Sequence, residues 1–117
     1  MKCADYNNNE AENTAAPVRE NALNRLCHSL LSPENSKRFQ AFPEAWCHSF
    51  GLTRDETHAV TDLDVLRLLE LGGDIRRLSI LTEVFGMDLL ELGAQQNAMS
   101  KDEFIVLLNT RAWLHPS

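Results

Sequence analysis

Start and stop signals for helices recur along this chain at intervals that leave room only for short helices. Apolar residues repeat at helical spacing inside each interval. Ala22, Leu23, Leu26, Cys27, Leu30 and Leu31 share one helical face, because residues three and four apart stack on the same side. Ser32 and Pro33 end that segment and open the next, with Ser32 as N-cap and Pro33 at the first helical position. Pro43 opens a third segment, in which Phe42, Trp46 and Phe50 recur every fourth residue before Gly51 stops it. Thr53 with Glu56, and Ser100 with Glu103, form capping boxes that satisfy backbone N–H groups left open by a first helical turn. The second box precedes Phe104, Ile105, Leu107 and Leu108. Between the boxes, Asp62 to Leu71 carries Val65, Leu66 and Leu69 on one stripe, and Gly72-Gly73 ends it. Asp74 caps a helix with the seam Ile75, Leu78, Leu81 and Phe85, which Gly86 closes. Asp88 and Glu91 start another short one through Leu89, Leu90 and Leu92. No segment alternates in period two between hairpin turns. The pattern predicts an all-α fold, a compact bundle of about seven short helices.

A chain of 117 residues suits one domain with one core. Residues 1–16 are polar, Asn-rich and aperiodic, which predicts a disordered tail before a single helical domain over 17–117. The N-terminus has no apolar stretch of the signal-peptide kind, and no run approaches the roughly 18 apolar residues of a membrane span. The formal charge is −6, and the longest basic run is Arg76-Arg77, so no nucleic-acid surface is expected. Three cysteines without a CxxC pair argue against a disulfide framework and for the cytoplasm.

The one echo in the sequence is LCHSL at 26–30 and WCHSF at 46–50. Two thiols and two imidazoles resemble a zinc ligand set, but adjacent helical residues diverge by about 100°, so a Cys-His pair does not face one ion. Cys27 falls instead on the apolar stripe, where a thiol behaves as a small hydrophobe. Asp55, His58 and Asp62 share a face but lack the second imidazole of a two-histidine iron site, and surface ion pairing is the simpler reading. There is no nucleophile elbow and no phosphate loop around Gly72-Gly73. No catalytic residue and no metal ligand are assigned.

The stretch LNRLCHSLLSPENSKRFQAF (23–42), followed by LGGDI (71–75), resembles the small α subunits of protocatechuate 4,5-dioxygenases, class II extradiol ring-cleavage enzymes. The resemblance rests on Asn24, Ser29, Glu34, Asn35, Arg38 and Phe39, then Gly72, Gly73 and Leu78, and later Gly86 and the segment Met99 to Phe104, and it runs from about residue 22 to 108. The resemblance implies a non-catalytic subunit of an aromatic-ring-cleaving oxidoreductase. The larger β subunit would hold Fe(II) through two histidines and a glutamate, and would use O₂ to open a catecholic ring. The small subunit, binding no cofactor itself, would cover the mouth of that site. Met87, Asp88, Leu89 and Leu90 then fall where the family approaches the substrate pocket, although Leu89 equally suits the chain's own core. Trp113 and Leu89 are expected among the apolar residues buried against the β subunit. The sequence departs from the family at Phe42, where aspartate is usual, and at Asp74, Arg76 and Arg77. The alternative is a stand-alone helical interaction module of the same fold that self-associates through the same apolar patch.

Overall fold

The computed structural model describes residues 21–111 and Trp113, and the predicted tail over 1–16 lies outside them. The described residues form eight helices: α1 (Ala22–Ser29), α2 (Pro33–Ala41), α3 (Pro43–Ser49), α4 (Arg54–Asp62), α5 (Val65–Glu70), α6 (Ile75–Val84), α7 (Leu89–Gln96) and α8 (Lys101–Thr110). No strand occurs among them. The fold is all-α, as the periodicity predicted. None of the helices is long and apolar enough to cross a membrane.

The predicted caps form as drawn. Ser32 Oγ accepts the Asn35 N–H, and both capping boxes close reciprocally, Thr53 with Glu56 and Ser100 with Glu103. Five of the eight helix ends follow one rule as well. Gly51, Leu63, Gly72, Gly86 and Ala98 all take positive φ. In each case the next residue's N–H reaches back to a carbonyl in the preceding helix: Leu52 to Cys47, Asp64 to Ala59, Gly73 to Leu68, Met87 to Thr82 and Met99 to Ala94, at 2.9–3.2 Å. These are Schellman closures, which satisfy the carbonyls a helix leaves open. An N-cap follows within two residues each time: Thr53, Asp64, Asp74, Asp88 and Ser100. Backbone hydrogen bonding is therefore handed from helix to helix with little loop between.

Three sequence expectations are corrected here. The fifth segment starts at Val65, not at Asp62, because Leu63 turns left-handed and Asp64 becomes the cap. Its buried face is accordingly Val65, Leu68 and Leu69, with Leu66 only half-buried. In α6 the inner position is taken by Thr82, whose hydroxyl is satisfied by the Ser79 carbonyl at 3.1 Å, while Phe85 lies beyond the helix end and is 41% exposed. In α3 the fully buried residue is Cys47, while Trp46 and Phe50 are half-buried and Phe42 is exposed.

Burial of Leu23, Leu26, Phe39, Leu78, Phe104 and Leu108 builds the core, each contributing on the order of 1.5–3 kcal/mol. Gly93 allows α7 to lie directly on α8, since a Cβ there would sit 2.3 Å from Phe104 Cζ. Side-chain amides and one indole join the remaining pieces. Asn24 has no exposed surface, its Nδ2 donates to the Gly72 carbonyl at 3.2 Å, and its Oδ1 accepts the Asp74 N–H at 2.8 Å. Trp46 Nε1 donates to Ser29 Oγ at 3.2 Å, and Asn35 Nδ2 donates to the Ser29 carbonyl at 3.0 Å, drawing α1, α2 and α3 together. Gln96 clasps the α4–α5 corner by donating to the Leu63 carbonyl at 2.7 Å and accepting the Val65 N–H at 3.1 Å.

Two substitutions check these points. Asn24→Ala leaves the Asp74 N–H without its partner, the Gly72 carbonyl with Asn21 alone and a cavity beside them, and is expected to lower urea-unfolding stability by about 2–4 kcal/mol. Ala98→Gly relieves a left-handed strain of about 1–2 kcal/mol at an exposed position against a smaller chain-entropy cost, so the same measurement should show a gain of about 0.5–1 kcal/mol.

Candidate functional site

The segment singled out by the family resemblance sits where α6 gives way to α7. The Schellman turn at Gly86 brings the chain out of α6, and the Asp88 carboxylate then caps α7 by accepting the Glu91 N–H at 3.0 Å. This puts Met87 outside, 42% exposed, beside the half-exposed ring of Phe85. Phe85 is steadied by an edge contact with the buried ring of Phe39, centroids 5.9 Å apart. An open groove of about 270 Å³ runs along this junction, lined by Gly86, Met87, Asp88, Glu91, Leu92 and Gln95.

The four expected pocket residues divide between two roles. Met87 and Asp88 face outward, and Leu90 is half-buried. Leu89 is only 4% exposed and belongs to the chain's own core. Trp113 is half-buried against that same core, with the Arg111 guanidinium 5.1 Å from its ring centroid. Neither Leu89 nor Trp113 is thus an exposed apolar side chain as the sequence suggested; at this junction Phe85 and Met87 are. Asp88 is already engaged by its own helix and by Lys101, whose Nζ lies 3.8 Å away.

The remaining motif residues serve the fold. Asn24, Ser29, Asn35 and Gly72 form the hydrogen-bond nodes described above. Phe39 is core, and Met99 packs against it from a half-buried position. Gly73 is enclosed, a Cβ there falling 2.9 Å from the Leu68 carbonyl oxygen and a Leu78 methyl. Glu34 and Arg38 form an exposed i,i+4 pair at 3.1 Å. Asp74 caps α6 by accepting from the Arg76 and Arg77 N–H groups. Arg77 reaches back to donate to the Asn24 carbonyl at 3.1 Å.

The Cys-His echo resolves into buried thiols and exposed imidazoles. Cys27 and Cys47 are both free and fully buried, whereas His28 and His48 are exposed. Burial pushes the Cys27 thiol up to about 12, against a weaker opposing pull from Arg77. Burial, then the Glu44 carboxylate, raises Cys47 to about 11, with a Thr57 hydrogen bond opposing. Both thiols therefore stay protonated at neutral pH, whereas a nucleophilic cysteine works as the thiolate. Asp55 pairs with Arg67 at 3.5 Å. Among the described residues, no three histidine, cysteine, aspartate or glutamate side chains are grouped to hold a metal ion.

The sequence reading missed Gln96 and the Gly93–Phe104 contact. Gln96 carries no local signal, because its partners lie more than thirty positions away. Gly93 did carry one: a glycine inside a helix costs about 1 kcal/mol relative to alanine and asks for a packing reason.

Fold and groove together define a small all-α domain with a partly apolar junction surface and its internal polar groups committed to its own folding. The chain belongs to the LigA family: residues 23–109 match the family described as aromatic-ring-opening dioxygenase LigAB, LigA subunit. No curated protein and no solved structure matches it.

The buried thiols make stability depend on alkaline pH. In the unfolded chain they ionise near their ordinary value of 9.0, whereas in the folded chain they hold their protons to about 12 and about 11. Between those limits the unfolded state binds fewer protons, so the stabilisation is fully present below pH 9 and is lost as pH rises. The urea midpoint should fall between pH 8.5 and pH 10.5, and a Cys27→Ala, Cys47→Ala double variant should show a shallower fall.

Proposed function

We propose that this chain is the small, non-catalytic α subunit of a heteromeric, Fe(II)-dependent extradiol dioxygenase. It covers the active-site mouth of a larger catalytic β subunit that opens a catecholic ring of the protocatechuate type. The observation that carries this reading is the family match over residues 23–109, whose description places LigA as one component of LigAB. The metal's oxygen chemistry belongs to the larger subunit.

This chain's part is physical. Leu89, rooted in the core, fixes the base of the α6–α7 junction, and Met87 and Phe85 offer apolar surface above it. Seating that surface over a neighbouring pocket removes water from the pocket and strengthens every charge interaction inside it. The thioether of Met87 adapts to the shape it meets. Asp88, occupied by its own helix and by Lys101, acts as a structural cap and not as an acid or base. We place the complex in the cytoplasm, where the free thiols of Cys27 and Cys47 stay reduced.

Co-expression with the large subunit, size-exclusion chromatography and oxygen uptake on a panel of catechols test the reading. The isolated chain, supplied with Fe(II), is expected to consume no oxygen, and the co-purified pair to turn over. Met87→Glu should weaken the pair roughly tenfold while leaving the chain's melting temperature unchanged. Ring opening by the iron-supplied chain alone, at the rate of the pair, would contradict the proposal.

A further inference from the structure

We infer that the hollow shared by α3 and α4 is a binding site for inorganic phosphate, held by Arg54, His48 and His58 and selected by Glu44. The site is separate from the α6–α7 groove and does not rest on the dioxygenase reading. The two helices pack on each other, and an open hollow of about 280 Å³ is lined by Glu44, His48, Leu52, Arg54, Thr57 and His58. Glu44 and His48 stand four residues apart on one face of α3, and Arg54 and His58 do the same on α4. The remaining two lining residues are anchored. Leu52 is buried, and Thr57 is hydrogen-bonded to the buried Cys47 thiol, which ties the two helices together at the site.

Uncommitted polar chemistry sets this hollow apart. Glu44, His48, Arg54 and His58 are all exposed, and none of their side chains forms a hydrogen bond or an ion pair among the described residues. The other carboxylates in the first turn of α4 are already engaged, Asp55 by Arg67 and Glu56 by the Thr53 N–H. The chain carries a formal charge of −6 and four histidines. Against that background, two imidazoles and a guanidinium line one hollow with a single carboxylate among them.

The set of donors and acceptors selects the ligand. A guanidinium presents paired N–H donors that suit an oxyanion, and each imidazole carries at least one N–H. Donors from three side chains match the several outward oxygens of a tetrahedral anion. The Glu44 carboxylate repels an anion that has no proton left, such as sulfate, but accepts a hydrogen bond from one that keeps a P–OH. Inorganic phosphate keeps that proton at neutral pH. A phosphate monoester gives up its last one near pH 6, so the free ion is favoured over the ester as well.

Titration of the full chain with inorganic phosphate at about pH 7.5, followed through the histidine ring signals by NMR, tests the proposal. Phosphate should shift the His48 and His58 rings saturably, and leave in place the ring of His28, which does not line the hollow. Sulfate at equal ionic strength should bind at least about tenfold more weakly. Arg54→Gln should weaken phosphate binding at least about tenfold, and Glu44→Gln should erase the preference over sulfate. Both variants should keep the melting temperature, because the side chains are exposed and unpaired. Absence of a saturable shift up to about 10 mM phosphate overturns the proposal. So does a shift shared equally by His28, which marks ionic strength alone, or sulfate binding as tight as phosphate. A Glu44→Gln variant that still prefers phosphate overturns it too.

Discussion

The carboxamide of Asn24 is the point on which the architecture turns. It lies wholly out of solvent and spends one end on the Gly72 carbonyl and the other on the Asp74 N–H, forty-eight and fifty positions away. Without it, the Asp74 N–H at the sharp turn between α5 and α6 would face the side of α1 with nothing to meet it, at about 1–3 kcal/mol, and the Gly72 carbonyl would keep only Asn21. With it, the turn becomes the floor on which α1 rests. Asn21 doubles the contact by donating to the same carbonyl at 3.1 Å. The Asp74 carboxylate then starts α6 from that floor, so one buried amide links the first helix to the sixth.

The same economy runs through the molecule. Helices of six to ten residues are too short to be stable alone, and tertiary support must hold them. Here that support comes from repeated left-handed closures, each followed at once by a cap, and from side chains that clasp backbone at a distance: Asn24, Asn35 and Gln96. Buried polar groups are thereby committed to folding. What faces outward at the α6–α7 junction is Phe85 and Met87 beside the polar groups of Asp88, Glu91 and Gln95.

The Cys-His echo illustrates how sequence similarity and chemical role separate. Both thiols turn inward and both imidazoles outward because adjacent helical residues point in different directions, so the two halves of each pair never meet a common ligand. Membership of a dioxygenase subunit family rests on the match over residues 23–109 and not on this echo. Asn24, Ser29, Asn35, Gly72 and Gly73, on which the resemblance rests, each supply a hydrogen-bond node or a close backbone approach in this fold.

The sequence by itself determined what is local. Helix starts at Pro33, Pro43, Thr53, Asp74 and Ser100 follow from side chains that satisfy nearby N–H groups or lack one, and Gly51, Gly72 and Gly86 mark stops because left-handed backbone is cheap there. Leu63 and Ala98 make the same turn without glycine, and only the surrounding packing decided that. Tertiary structure also decided that Leu89 would be core while Phe85 and Met87 became surface, since helical spacing tells which residues share a face but not which face another helix covers. Gln96 acquired its role from partners far along the chain, a relation that periodicity does not encode.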